Sequence, residues 1–159
     1  QLTEFQLGRK FFSDRKLSVF NRFFYGVDAG IFPSAERLYL PDFKHFITRE
    51  LYVVDRPMQT AFNLIDHYRY AANDKWLQGH LMFSSDYLLL KHIRFMQNYL
   101  FDEALHVHSL WIPGRNYSEA GYSVGFSEAG RIGVFAGFNN GRYDAVGFTV
   151  SLPLLQWLK

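Results

Sequence analysis

From Glu119 to Leu152 the chain alternates residue type with a period of two, and that pattern restricts the fold more than any other feature of the sequence. Ala120, Tyr122, Val124 and Phe126 fall on one face, and Glu119, Gly121, Ser123, Gly125 and Ser127 on the other. Successive strand side chains point to opposite sides of a sheet, so the period identifies β-structure with one apolar and one polar or small face. The next run repeats it, with Ile132, Val134, Ala136 and Phe138 against Arg131, Gly133, Phe135 and Gly137. After Asn139, Asn140 and Gly141, Val146, Phe148, Val150 and Leu152 oppose Ala145, Gly147, Thr149 and Ser151. Asn-Gly between two alternating runs signals a tight hairpin.

The pattern recurs upstream. Phe23, Tyr25, Val27, Ala29 and Ile31 oppose Arg22, Phe24, Gly26, Asp28 and Gly30. Leu77, Leu81 and Phe83 oppose Gln78, His80 and Met82, while Leu105, Val107 and Trp111 oppose Ala104, His106 and His108. Further strands are expected near Phe5 to Phe12, Arg49 to Val54 and Ile65 to Ala72, about eight or nine in all at the usual strand length. One segment departs: Leu88, Leu89, Leu90, Ile93, Met96 and Leu100 recur at threes and fours, which predicts a short amphipathic helix over 88–100. Beside a barrel, such a helix would lie at a membrane interface or cap one barrel end. There is no low-complexity stretch or linker, so residues 1–159 read as a single domain.

Composition decides what kind of β-protein this is. Phe, Tyr and Trp make up 19% of the chain and charged residues only 20%, yet the mean hydropathy is −0.13. A barrel in lipid combines these values, because its outward apolar positions and aromatic girdles are diluted by polar inward ones. The longest apolar runs, Leu51 to Val54 and Tyr87 to Leu90, are far short of the roughly 18 residues of a transmembrane helix. The expected fold is therefore all-β, an antiparallel transmembrane β-barrel or the C-terminal part of one. Tyr122, Val124, Phe126, Ile132, Val134, Phe148 and Val150 would face lipid, and Ser123, Gly125, Thr149 and Ser151 the lumen. The chain begins Gln1, Leu2, Thr3, Glu4, with neither an initiator methionine nor a signal peptide, so a C-terminal fragment of a longer exported chain is expected.

Three stretches carry a resemblance to a known family. They are Leu40-Pro41-Asp42-Phe43-Lys44-His45-Phe46, then Phe62-Asn63-Leu64-Ile65-Asp66-His67-Tyr68 followed by Ala72-Asn73-Asp74-Lys75, and Asn116-Tyr117-Ser118-Glu119-Ala120-Gly121-Tyr122-Ser123-Val124-Gly125. In order and spacing, over roughly residues 36–152, the chain resembles the C-terminal barrel of an uncharacterised family of Bacteroidota outer-membrane proteins, which usually carry an N-terminal carboxypeptidase-D-regulatory-like domain. That barrel is distantly similar to the outer-membrane assembly and translocation superfamily. The resemblance implies a place, the bacterial outer membrane, and a fold more than an activity. Barrels of that superfamily need more strands than 159 residues supply at about ten residues per strand.

Candidate chemistry is sparse. The chain has no cysteine, which removes disulfides, thiolate metal sites and Cys nucleophiles. His106 and His108 share a strand face and would offer two metal ligands, with Glu103 or His80 as a third; as polar lumen residues they need no metal. Asp42, Lys44 and His45 follow Pro41, where His45 would serve as a general base oriented by Asp42; the plainer reading is a structured turn whose Phe43 and Phe46 anchor at the interface. The strand glycines form no phosphate loop and instead let backbones approach. Arg9, Lys10, Arg15, Lys16 and Arg22, with Phe11, Phe12, Phe20, Phe23 and Phe24, imitate a nucleic-acid surface, but 17 basic residues against 15 acidic leave no supporting field. The sequence thus leads to a non-enzymatic outer-membrane barrel without catalytic, cofactor or metal residues. Its expected partners are outer-membrane lipid and other envelope proteins, in a role of transport, insertion or anchoring. The alternatives are a lipid-modifying enzyme using Asp42 with His45 or His106, and a soluble barrel that binds a small apolar ligand.

Overall fold

The computed structural model describes residues 7–32, 44–46, 53–54, 58–65, 69–72, 74–97, 101–126 and 130–152. Seven long strands dominate: β1 (Leu7–Lys16), β2 (Asn21–Ile31), β6 (Lys75–Ser85), β7 (Asp102–Ile112), β8 (Arg115–Gly125), β9 (Arg131–Asn139) and β10 (Arg142–Ser151). Three two-residue strands accompany them among the described residues: β3 (Lys44–His45), β4 (Val53–Val54) and β5 (Ala71–Ala72). The main sheet has the order β1-β2-β6-β7-β8-β9-β10-β4, and β3 pairs with β5 in a separate two-stranded ladder. The long strands are antiparallel throughout, but β4 joins β10 in parallel, so the antiparallel expectation fails at that edge. Of the strands expected at 49–54 and 65–72, the described residues form the pairs 53–54 and 71–72, with 49–52 and 66–68 outside the described residues. The Phe5–Phe12 expectation meets β1 from Leu7 on, with residues 5–6 outside the described residues. Among the described residues the sheet is open, with β1 and β4 at its edges.

Local chemistry explains the connections. Gly114 (φ +76°) turns β7 into β8, and Asn140 and Gly141 (φ +49° and +75°) turn β9 into β10. Positive φ at both central residues matches the twist of a tight hairpin. The helix expected over 88–100 is absent from the described part of that segment, which forms a 3-10 turn at Leu90–His92 within a run of other turns. The reason is competition for its amides. The buried Glu103 carboxylate accepts the N–H groups of Leu89 (2.8 Å) and Leu90 (3.0 Å), and the next bonds close at i to i+3, from His92 to Leu89 and from Ile93 to Leu90. Leucines spaced for a helix are thus held in a tight turn.

The alternation read from the sequence maps onto the two sheet faces. One cross-strand row runs Tyr25, Leu81, Val107, Ala120, Ala136, Val146, and it lies on the open side. The adjacent row runs Gly26, His80, His108, Glu119, Gly137, Ala145, and its four central residues are buried. Burial on that inner face comes from described parts of the β2–β6 connection, chiefly residues 58–65 and 69–72, which fold back across it. Phe32, Phe46, Phe62, Ile65 and Tyr70 pack with Trp76, Leu110, Ile112 and Tyr117 in one cluster. Phe46, expected at an interface, is therefore a core residue. Glycines make room for this layer. A Cβ on Gly147 would come within 2.6 Å of Leu64, and one on Gly137 within 2.5 Å of the Tyr117 hydroxyl. At Gly121 a Cβ would collide with the Phe135 ring, so Gly121→Val is expected to lower stability by about 1–3 kcal/mol through overpacking. Denaturant titration checks this, and the additional change Phe135→Ala should recover part of the loss.

Candidate functional site

The polar residues of the inner face form linked groups rather than isolated positions. His80 and His108 face each other across β6 and β7, with their Nδ1 atoms 2.8 Å apart, so one ring donates to the other. The Phe62 ring packs on both, at 5.1 and 6.2 Å between centroids. His106 Nε2 lies 2.7 Å from Ser123 Oγ, and that hydroxyl also accepts Arg131 Nη1 at 2.8 Å. Arg131 in turn pairs with Asp102, which accepts the Ser84 hydroxyl at 3.2 Å. Further along, the Asp28 carboxylate accepts Gln78 Nε2 at 2.9 Å and the Trp76 indole N–H at 3.4 Å.

Glu119 is the centre of the arrangement. Its buried carboxylate accepts the Asn63 backbone N–H at 2.7 Å, Asn63 Nδ2 at 3.0 Å, the Leu64 N–H at 3.2 Å and the Tyr117 hydroxyl at 3.1 Å. It thereby ties the folded-back segment to β8. A second tie is the two-bonded pair of Arg69 with Asp144, at 2.8 and 3.0 Å. Between these ties, burial pushes the Tyr70 hydroxyl above the ordinary tyrosine range, against the opposing pull of Arg69.

A cavity of about 260 Å³ remains at the end of the sheet carrying the β1–β2 turn. Asp14, Arg22, Ser84, Asp102, His106 and Arg131 line it, together with Met58, Met82, Gln59 and Ser151. Its walls come from β1, β2, β6, β7, β9 and β10, with Met58 and Gln59 from the β2–β6 connection.

The sequence candidates separate in this structure. Asp42 lies outside the described residues. Lys44 and His45 form β3 and pair in register with Ala72 and Ala71. His106 and His108 do share a face, but the direct imidazole contact is between His80 and His108, across strands. Two nitrogens on one tetrahedral zinc sit about 3.3 Å apart, given Zn–N bonds of about 2.05 Å. The 2.8 Å contact is instead a hydrogen bond, and among the described residues no group of three His, Asp or Glu side chains is disposed to hold a metal. Ser123, taken from sequence only as an inward residue, is the candidate that sequence reasoning missed. Gly121-Tyr122-Ser123-Val124-Gly125 has the letters of a nucleophile elbow. Here it is the middle of β8, not a strand-to-helix turn, and Ser123 is fully buried.

The model of the family of unknown function DUF5686, C-terminal domain, matches residues 6–124. The chain belongs to this family. The match spans β1 to β8 and includes Asn63, His80, His106, His108 and Glu119, so the tie between the folded-back segment and the sheet lies within the family domain. No curated protein and no solved structure matches the chain.

Proposed function

We propose that this DUF5686 domain is part of a transmembrane β-barrel in the outer membrane of a Bacteroidota-type envelope, where it transports, inserts or anchors other molecules without catalysing a reaction. The observation that carries this reading is the inversion of the two faces. Large apolar side chains stand in the open, with Val134 at 53% exposure and Phe148 at 59%, while Asp28, Glu119 and three histidines are buried on the other face. In water that arrangement is unfavourable on both counts, since it leaves apolar area solvated and removes ionisable groups from solvent. In lipid the outward face is matched to its surroundings. Strands of 9 to 11 residues fit the span of a bilayer crossed at a tilt. The outward aromatics Trp111 and Tyr143 lie toward one end of the strands, and Phe20 and Tyr87 beyond the other, with Leu81, Val107 and Val134 between.

Among the described residues the seven long strands leave β1 and β10 running in the same direction, and β4 joins β10 in parallel. On this reading further strands complete the wall, since an open edge is costly in hydrocarbon. The described parts of the folded-back segment, at 58–65 and 69–72, then occupy the inner side of the wall beside the remaining cavity.

Tryptophan quenching tests the reading. With Trp157→Phe in place, Trp111 should be quenched strongly by brominated lipid in reconstituted vesicles, and Trp76, buried inside, only weakly. Equal and weak quenching of both would sink the membrane assignment. A second reading, a lipid-modifying enzyme, has one observation in its favour, the 2.7 Å contact between Ser123 and His106. Against it, no described group orients His106 Nδ1 and Arg131 already occupies the serine oxygen. Fluorophosphonate labelling abolished by Ser123→Ala would favour this reading over the first.

A further inference from the structure

The β1–β2 turn and the segment at 86–97 form one rim, which carries a patch of apolar side chains. Leu17, Val19, Phe20, Tyr87, Leu89 and Phe95 are all exposed, Val19 at 76% and Phe95 at 74%. Yet the backbone beneath them is fixed. Asp86 N–H donates to the Phe20 carbonyl at 3.2 Å, Phe20 and Tyr87 meet edge to face at 5.2 Å, and Glu103 holds the Leu89 and Leu90 amides. A contiguous apolar patch on a fixed frame marks an interaction surface.

Its charge selects the partner. Arg15, Lys16, His92 and Arg94 are exposed around the patch, and Lys91 Nζ sits over the Tyr87 and Phe101 rings at 5.4 and 5.5 Å. The described acids nearby are engaged elsewhere: Asp14 with Arg22, Asp102 with Arg131, and Glu103 with the amides, which leaves Asp86 alone against the cations. Arg15 lies directly across from Phe23 in the β1–β2 register, two residues before Leu17, where its stem can follow apolar surface while its guanidinium reaches outward.

We propose that this rim seats in the headgroup layer of an anionic leaflet, with Arg15, Lys16, Lys91 and Arg94 meeting lipid phosphates and the apolar side chains beside them in the interfacial layer. The inference rests on the membrane reading above and names the lipid chemistry met at one end of the wall. Juxtamembrane lysines and arginines draw anionic lipid in this way, and the attraction is screened by salt.

Because the chain has no cysteine, Phe95→Cys and Val134→Cys each give a single site for an environment-sensitive fluorophore. The chain is reconstituted with vesicles of phosphatidylcholine alone and with phosphatidylglycerol added. The label at 95 is expected to shift to the blue and to be quenched by headgroup-level nitroxide lipid. Affinity for the anionic vesicles should exceed that for neutral ones by about tenfold or more, and Arg15→Glu, Lys16→Glu, Arg94→Glu together should abolish the difference. Should the triple variant fail to fold, high salt on the unsubstituted chain must abolish it instead. A label at 95 that stays aqueous while 134 is lipid-embedded overturns this inference and leaves the barrel reading intact. Aqueous signals at both sites overturn both. Embedding at both sites with an anionic preference that survives charge reversal or high salt overturns the headgroup role.

Discussion

Glu119→Ala is expected to destabilise the fold by about 3–6 kcal/mol, because it removes the single acceptor shared by four buried donors. A buried donor left without a partner costs about 1–3 kcal/mol, and the Asn63 and Leu64 backbone amides both donate to this carboxylate. Glu119→Gln should be milder, about 1–3 kcal/mol. Its amide oxygen can still accept from Asn63, while its NH2 faces the Leu64 N–H and the Tyr117 hydroxyl as a competing donor. Guanidinium unfolding in detergent micelles gives the ranking. Asn63→Ala adds a second test, since the double variant with Glu119→Ala should cost less than the sum of the two. If Glu119→Ala lies within about 1 kcal/mol of the unsubstituted chain, Glu119 is not what holds the segment at 58–65 against the sheet. The same variant carries a functional expectation, that protease access to that segment increases.

The long strands and their facing were legible because alternation records the pleat directly. Val107 and His108, or Val134 and Phe135, differ in burial as their neighbours in sequence require. What alternation does not encode is the partner across the sheet. His80 and His108 are 28 residues apart, and only the β6–β7 register brings them into contact. The segment at 88–100 misled because helical spacing of leucines is a local signal, while the competing acceptor, Glu103, arrives from the following strand. The folded-back segment was hidden for a related reason. Phe62-Asn63-Leu64 has no period of its own, and the room it occupies is recorded on other strands, as glycine at 137 and 147. Glu119 looked like one polar member of an alternating run, and its importance comes from the amides that reach it from 55 and 56 residues away.

Arginine at position 134 should separate lipid from water as the medium of the outer face. Val134 stands in the middle of β9, half exposed, with no inner-face contact to lose. On a solvated sheet, Val134→Arg would change stability by no more than about 0.5 kcal/mol, the usual range for a surface substitution. At the midplane of a bilayer the same change costs about 2–4 kcal/mol, because the guanidinium must drag water inward or snorkel past its neighbours. Val107→Arg, on the apolar row across β7, should behave alike. Tyr143→Arg is the internal control. Tyr143 is as exposed as either valine but begins β10 beside the Asn140–Gly141 turn, so it lies near a rim, where the cost falls to about 0–1 kcal/mol. Refolding titrations into vesicles of matched thickness give all three values. A steep penalty at 134 and 107 with almost none at 143 is a depth profile, which an aqueous surface has no means of producing. Three equal and small values would mean that the exposed apolar face meets water or another protein, and the proposed membrane function would fall with it.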